Sequence, residues 1–202
     1  MNYKVLKKES YKISEWSGGI TTELYIYPEN SEYKNRDFIF RLSTATVEVE
    51  KSIFTKLENI SRKLMILEGT MKLYHEKNNI LELKKFDKDS FNGNDNTVSY
   101  GIATDFNLMT NNMCKGDIEH VRILKNHDYS IKFNCESNQN RIESIYNLDE
   151  NVTMCFKDKK IKLEKNQLLI LYLYKNDTEI ILNMLNENNK NINVIRITVF
   201  LY

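Results

Sequence analysis

The chain has 202 residues and a formal net charge of +1, with 29 Lys and Arg residues against 28 Asp and Glu residues. Hydrophobic residues make up 41% of the sequence and aromatic residues 11%, a composition that supports a globular core and excludes a disordered chain. The balanced charge offers no basic surface for nucleic acid. No segment approaches the roughly 20 consecutive apolar residues of a membrane span, so we expect neither a nucleic acid nor a membrane as a partner.

Strand signals run through the sequence from residue 20 onward, because β-branched and aromatic residues cluster in short runs separated by Asn, Asp and Lys turns. Helical periodicity is weak, and only residues 183–190 are predicted to hold one short helical turn. Many short strands at even spacing are typical of an all-β sandwich or barrel. The predicted strands are 20–27, 38–49, 63–74, 80–86, 98–103, 105–109, 118–124, 129–133, 152–156, 160–163, 168–173 and 192–200.

A seven-residue pattern occurs once in each half of the chain. Residues 85–91 and 162–168 both read Lys, apolar, acidic, Lys, Asn or Asp, polar, apolar, and each follows a strand, a polar turn and another strand. Repeated strand-turn-strand units indicate a duplicated β-domain. We expect halves at residues 1–115 and 116–202, packed as one compact body.

Two of the predicted strands carry polar residues on faces that are otherwise apolar. Side chains alternate along a strand, so Arg41 and Ser43 share one face of the first, and Asp105 and Asn107 share one face of the second. Buried polar groups are costly unless they are paired. These rows favour either a polar pocket or a structural network in which Arg41 pairs with Asp105 across neighbouring strands. Only a pocket requires solvent access and a free guanidinium face.

Residues that would indicate a metal or a catalytic nucleophile are sparse. The histidines at 75, 120 and 127 form no His-x-His pair, and His75 is interpreted as a solvated loop residue. No Gly-x-Ser-x-Gly element occurs. Three cysteines in no metal-like spacing, Cys114, Cys135 and Cys155, together with the lack of a signal peptide, indicate free thiols in a reducing cytoplasm. We expect no metal and no cofactor.

Several motifs in the first 115 residues occur in an order that resembles the HutD/Ves family: Trp16, Gly18-Gly-Ile-Thr-Thr-Glu23, Phe40-Arg-Leu-Ser-Thr-Ala45, Phe54, Arg62-Lys-Leu-Met-Ile-Leu-Glu-Gly69, Phe91-Asn-Gly93 and Asp105-Phe-Asn-Leu-Met-Thr110. The resemblance implies a bicupin, with two cupin-like β-barrel or sandwich halves and without the metal-ligand histidines of enzymatic cupins. It also implies an association with histidine utilisation. The motif positions carried over as ligand-binding candidates are Thr21, Glu23, Arg41, Ser43, Arg62, Asp105 and Asn107.

Three functions follow from these expectations. The first is a non-catalytic bicupin that binds a small anionic carboxylate metabolite, as a sensor or accessory protein in histidine or amino-acid utilisation. The second is a metal-independent isomerase or hydrolase of a small acid, with Glu23 or Asp105 as general base. The third is a structural or partner-binding protein without a ligand. A homodimer formed through edge strands is compatible with this architecture.

Overall fold

The structure, a computed structural model, describes residues 1–75, 80–133, 139–175, 177 and 179–202. Within these ranges the chain forms strands β1 to β19 and two short 3-10 turns, Lys8–Ser10 and Tyr33–Asn35. No helix in the described part is long and apolar enough to cross a membrane. The strands are Asn2–Leu6 (β1), Lys12–Trp16 (β2), Gly19–Tyr27 (β3), Phe40–Val47 (β4), Lys51–Ile53 (β5), Ser61–Gly69 (β6), Met71–Tyr74 (β7), Ile80–Leu83 (β8), Lys88–Asn92 (β9), Val98–Tyr100 (β10), Ala103–Thr110 (β11), Cys114–Ile123 (β12), Asp128–Phe133 (β13), Asn140–Asn147 (β14), Val152–Phe156 (β15), Lys159–Leu163 (β16), Leu168–Leu173 (β17), Ile180–Leu185 (β18) and Ile192–Leu201 (β19).

The chain divides into two compact units. The central unit comprises Tyr11–Lys115, and the terminal unit comprises Met1–Ser10 together with Gly116–Tyr202. The first ten residues therefore belong with the second half of the chain, because β1 pairs along its whole length with β17. These ten residues are expected in the first half from the sequence, and nothing in their composition reveals a pairing with β17.

The two units have the same strand order. In the central unit the sheets are β2-β3-β4-β11-β6-β9 and β5-β10-β7-β8; in the terminal unit they are β1-β17-β14-β19-β12 and β13-β18-β15-β16. Each strand from β4 to β11 matches the strand numbered eight higher, and β1, β2 and β3 are additions at sheet edges. The prediction of an all-β chain built from two similar halves is thus confirmed.

The turns between β8 and β9 and between β16 and β17 show the duplication in detail. In both turns one residue has a positive φ, 70° in the first and 62° in the second. The next residue, Asp87 or Gln167, accepts a hydrogen bond from a backbone N–H three residues earlier. Equivalent positions are therefore 80 residues apart. The pairing of 85–91 with 162–168 is displaced by three residues, so the repeat is real but its predicted alignment is wrong.

The structure corrects several predicted elements. Residues 63–74 form two strands, because Gly69 takes a positive φ of 80° that ends β6. The helical turn predicted at 183–190 is wrong: residues 183–185 belong to β18, 186–187 have no regular structure, and 188–190 form a bend. Residues 76–79, between the predicted strands 63–74 and 80–86, and Cys135 lie outside the described residues. Strands β1, β2, β5, β9, β14 and β18 were not predicted, since most carry many polar residues.

Each unit has its own apolar core. In the central unit, Leu64, Ile66 and Leu73 are buried together with Phe91. In the terminal unit the larger cluster includes Ile145 and many residues of β15, β17 and β18. Because β4, β6 and β11 are buried on both faces, a polar side chain on their inner face has to find a partner within the unit.

Candidate functional site

A cavity of about 240 Å³ lies within the central unit and is lined by residues of β2, β3, β4, β6 and β11 and by the segment 52–55. Six of the seven predicted site residues line it: Thr21, Arg41, Ser43, Arg62, Asp105 and Asn107. The seventh, Glu23, contacts Arg41 from the neighbouring strand. The alternation of side chains along each strand therefore brings the two polar rows into one cavity.

Strand register explains this convergence. Strand β11 lies between β4 and β6, so Met109 pairs with Arg41 on one side and with Arg62 on the other. Asn107, two residues along, pairs with Ser43 across the β4 edge. Adjacent strands are about 4.8 Å apart, so the backbones of the two arginines are separated by roughly 10 Å across the sheet. Both guanidinium groups are directed to the same cavity.

Arg41 is held in a defined orientation. Its Nε donates to Glu23 Oε2 at 2.7 Å, and its Nη1 donates to Ser43 Oγ at 3.2 Å. The guanidinium carbon lies 4.3 Å from the centre of the Tyr33 ring. Lys12 Nζ, 4.0 Å from Glu23 Oε1, is a second cation on the same carboxylate. The structure therefore pairs Arg41 with Glu23 and not with Asp105, and the Nη2 group of Arg41 takes part in none of these contacts.

The buried guanidinium of Arg62 makes fewer side-chain hydrogen bonds than that of Arg41. Arg62 is 6% exposed, and its guanidinium lies over the rings of Phe54 at 4.7 Å and Phe91 at 5.3 Å. Its Nη2 donates to Asn107 Oδ1 at 3.5 Å, but its Nε has no hydrogen-bond partner. Burial lowers the pKa of Arg62 to about 10. An unsatisfied buried donor costs about 1–3 kcal/mol, so this group is poised to gain from an acceptor in the cavity.

Asp105 is a buried acidic residue in the cavity wall. It is 1% exposed and accepts a hydrogen bond from Asn107 Nδ2. Burial raises the pKa of Asp105 to about 7, with the positive charge of Arg62 acting in the opposite direction. A carboxyl group in this environment is partly protonated near neutral pH, so it can donate as well as accept a hydrogen bond.

The raised pKa of Asp105 predicts how stability depends on pH. In the folded state Asp105 keeps its proton up to about pH 7, whereas in the unfolded state it loses the proton near its ordinary pKa of 3.8. The free energy of unfolding therefore falls as the pH rises between these two pKa values. At about 1.4 kcal/mol for each pKa unit, the loss from about pH 4 to about pH 7 is about 4 kcal/mol. Denaturant titrations across this range should show the decline, and Asp105→Asn should remove it. Parallel curves for the two proteins would contradict the assignment.

His75 forms a hydrogen-bonded cluster with Thr97 and Asp89 next to the Phe91 ring. His75 Nδ1 is 2.9 Å from Thr97 Oγ1, and His75 Nε2 is 2.8 Å from Asp89 Oδ2. The ring of His75 lies 5.0 Å from that of Phe91, and the Arg62 guanidinium contacts the same phenyl ring. The interpretation of His75 as a solvated loop residue is therefore wrong. No spacing in the sequence connects these residues, because they come from three separate segments.

Aromatic residues complete the cavity wall. Trp16 at the end of β2, Tyr33 in the second 3-10 turn and Phe54 after β5 all line it. Trp16 and Phe54 belong to the motifs quoted above, but Tyr33 lies in a turn that carries no strand pattern and was missed. The wall thus combines flat apolar surfaces with two guanidinium groups, an arrangement suited to a small anion with an apolar or planar part.

The terminal unit places an ion-paired cluster where the central unit has Arg62. Arg62 pairs with Phe91, and 80 residues beyond Phe91 is Leu171, whose partner is Glu143. Glu143 is fully buried and accepts hydrogen bonds from Arg196 Nε at 3.0 Å, from Thr198 Oγ1 at 2.9 Å and from Arg141. The carboxylate is therefore satisfied by residues of its own unit.

Potential metal ligands are dispersed in the structure. Among the residues that the structure describes, no group of three or more His, Cys, Asp or Glu side chains is placed to hold a metal ion.

Comparisons with known proteins bear on both the family and the fold. A family model described as HutD matches residues 8–187. A conserved protein of unknown function from Pseudomonas aeruginosa PAO1 is 16% identical, with 98% of this chain and 99% of that chain covered and a TM-score of 0.82. HutD from Pseudomonas fluorescens SBW25, solved in a formate condition, is 16% identical over 97% and 98% of the two chains, with a TM-score of 0.69.

More distant structures share the fold alone. An oxalate decarboxylase mutant from Bacillus subtilis is 7% identical, with 96% of this chain and 76% of that chain covered and a TM-score of 0.70. These neighbours confirm the predicted bicupin architecture. No curated protein matches the chain.

Proposed function

The chain belongs to the HutD family, whose model matches residues 8–187, and it is a cupin related to histidine utilisation. From this premise we propose that its central unit binds a small carboxylate metabolite without catalysing a reaction. The observation that carries the proposal is the unpartnered Nε of Arg62 beside a cavity that Arg41 also lines. Arginine presents its N–H groups in a planar fork that matches a carboxylate.

The size of the cavity limits the ligand. Sites for drug-sized ligands span about 300–1,000 Å³, so about 240 Å³ suits a metabolite rather than a polymer. Thr21 and Ser43 supply hydroxyl groups that can donate or accept, and Trp16 and Phe54 supply apolar surface. A compact acid with one carboxylate facing the arginines and an apolar body against the aromatic wall fits this lining.

The biological setting of the proposal is a sensor or accessory role in the cytoplasm. Cys114 and Cys155 are free thiols in the structure, and free thiols are typical of reducing compartments. Formate, which is named in the condition under which HutD from Pseudomonas fluorescens was solved, is a carboxylate and so belongs to the proposed chemical class. A sensor needs only binding with a change in stability or association, and the contacts of Arg41 with Glu23, Ser43 and Tyr33 provide a preorganised surface for it.

A ligand screen tests the proposal. Formylglutamate, urocanate and glutamate are added to the purified protein while its thermal unfolding is followed. A ligand at about 100 times its dissociation constant stabilises the folded state by about 2.7 kcal/mol, which shifts the midpoint by several degrees. Arg41→Ala should abolish the shift, and Arg122→Ala, which removes an exposed arginine of β12, should leave it unchanged. No shift with any of the three acids would count against the proposal.

An enzymatic function is the second candidate, and Asp105 is the observation that favours it. A buried carboxyl group with a pKa of about 7 in a cavity has the properties of a general base. Glu23, the other candidate base, does not line the cavity and is held by Arg41. Turnover of one of the same acids after chelation of metals, lost in Asp105→Asn while binding is retained, would replace the first proposal with this one.

A further inference from the structure

When Asp105 is ionised, as it mainly is above about pH 7, the charges around the cavity are balanced before any ligand enters. Arg41 is neutralised by Glu23 at 2.7 Å, which leaves Arg62 and Asp105 as the remaining buried pair of opposite charge. If Asp105 is ionised, the four groups sum to zero. A carboxylate ligand would then add one uncompensated negative charge to a buried site, and uncompensated buried charges are strongly unfavourable.

We propose that a carboxylate enters the cavity together with one proton, and that Asp105 carries this proton in the complex. The inference rests on the proposed function and adds its regulation: binding is coupled to proton uptake. With Asp105 neutral, the ligand and Arg62 form the compensated pair, and the cavity again sums to zero. The proton comes from solvent and resides on a carboxyl oxygen of Asp105; no other bond is formed or broken.

The geometry around Asp105 favours this exchange. The Asn107 amide is fixed between the two charged groups, with Oδ1 accepting from Arg62 Nη2 and Nδ2 donating to Asp105. Two carboxylates that share one cavity cannot both be ionised without a large penalty, and one of them takes up a proton. Protonated Asp105 then presents an O–H group to the cavity, and such a group donates a strong hydrogen bond to an anionic acceptor. The same side chain that repels the anion when ionised thus binds it when neutral.

Other charged or titratable groups around the cavity lie on separate elements. Arg62 is on β6, Arg41 on β4, Glu23 on β3 and Lys12 on β2, while Tyr33 and Arg36 lie at the second 3-10 turn. His75 contacts Phe91, and its imidazole ring is a second group near the cavity that can take up a proton. The experiment therefore has to separate Asp105 from His75.

The test uses sodium formate, the smallest carboxylate, titrated into the whole protein at matched ionic strength at about pH 6 and about pH 8. The dissociation constant should be about tenfold larger at the higher pH, because binding then requires protonation of a group that titrates near neutrality. Calorimetry at the higher pH, in buffers of low and high ionisation enthalpy, should detect close to one proton taken up for each formate bound. Asp105→Asn should bind formate equally at both pH values, and His75→Gln should behave as the wild type.

Each outcome separates this inference from the proposed function. Equal formate affinity at the two pH values, with no buffer dependence of the heat, would overturn proton coupling and leave carboxylate binding intact. Absence of formate binding at both pH values would overturn proton coupling and the proposed carboxylate binding together. A pH dependence that persists in Asp105→Asn and is lost in His75→Gln would assign the proton to His75 and overturn the inference. If Asp105→Asn does not fold, the buffer dependence measured on the wild type still decides.

Discussion

The Arg62→Met variant should lose carboxylate binding and, at the same time, unfold at higher denaturant concentration than the wild type. Arg62 is buried, its Nε has no partner, and burial lowers its pKa to about 10. Methionine keeps contact with Phe54 and Phe91 without placing a charge in the core. At about pH 6 Asp105 holds its proton, so removal of Arg62 leaves no ionised partner behind in the core. The substitution then resembles replacement of a whole buried ion pair by apolar residues, which is often neutral or stabilising by about 1–4 kcal/mol. Urea denaturation at about pH 6, where Asp105 holds its proton, measures the effect.

Two comparisons make this prediction specific. Arg122→Met changes an exposed arginine on a strand and should leave stability within about 0.5 kcal/mol and binding unaltered. Arg41→Met should instead lower stability, because it leaves Glu23 without its closest cation. If Arg62→Met unfolds more easily than the wild type, Arg62 is a structural residue, and the main support for the ligand site is lost.

The second large effect is expected in the terminal unit. Glu143→Ala should lower the free energy of unfolding by about 3–5 kcal/mol, because it leaves Arg141 and Arg196 partly buried without their shared carboxylate. Glu119→Ala is the matched control: its carboxylate also contacts Arg196, at 3.3 Å, but it is 55% exposed, so the expected loss is below about 1 kcal/mol.

Spectroscopy can locate this effect within the molecule. The chain has a single tryptophan, Trp16, and it lies in the cavity wall of the central unit. Circular dichroism follows the strands of both units, whereas Trp16 fluorescence reports on the central unit. In Glu143→Ala we expect the dichroism transition to move to lower denaturant and formate binding to persist. Unchanged stability in Glu143→Ala would mean that the cluster has no net structural role.

The sequence predicts which side chains meet in the cavity far better than it predicts how they pair. The period of two along β4 and β11 is sufficient to place Arg41 with Ser43 on one face of β4 and Asp105 with Asn107 on one face of β11. The contact of Arg41 with Glu23 is diagonal, because Glu23 lies opposite Ser43, and it is next to a bulge in β3 where the register to β4 shifts between residues 23 and 25. Such a bulge redirects side chains and leaves no clear mark in the sequence.

The missed strands have a related cause. Strand β14 carries Glu143 on its buried face, and β9 carries Lys88 and Asp89, so neither shows a clean apolar alternation. Their polar groups are satisfied by contacts that form only in the assembled unit, such as those of Glu143 with Arg196 and of Asp89 with His75. Local composition predicts that these residues are exposed to solvent, but their tertiary contacts place them in buried strands.

The edge strand β1 has a consequence for the order in which the protein takes shape during synthesis. Asn2 pairs with Tyr172, so β1 has no partner strand until the ribosome has added about 170 further residues. At about 5–20 residues per second this interval lasts roughly ten to thirty seconds. The central unit is one continuous stretch, and all of its strands are available long before that moment. All strands that line the cavity of the central unit are therefore available on the nascent chain before the terminal unit can complete its own sheet.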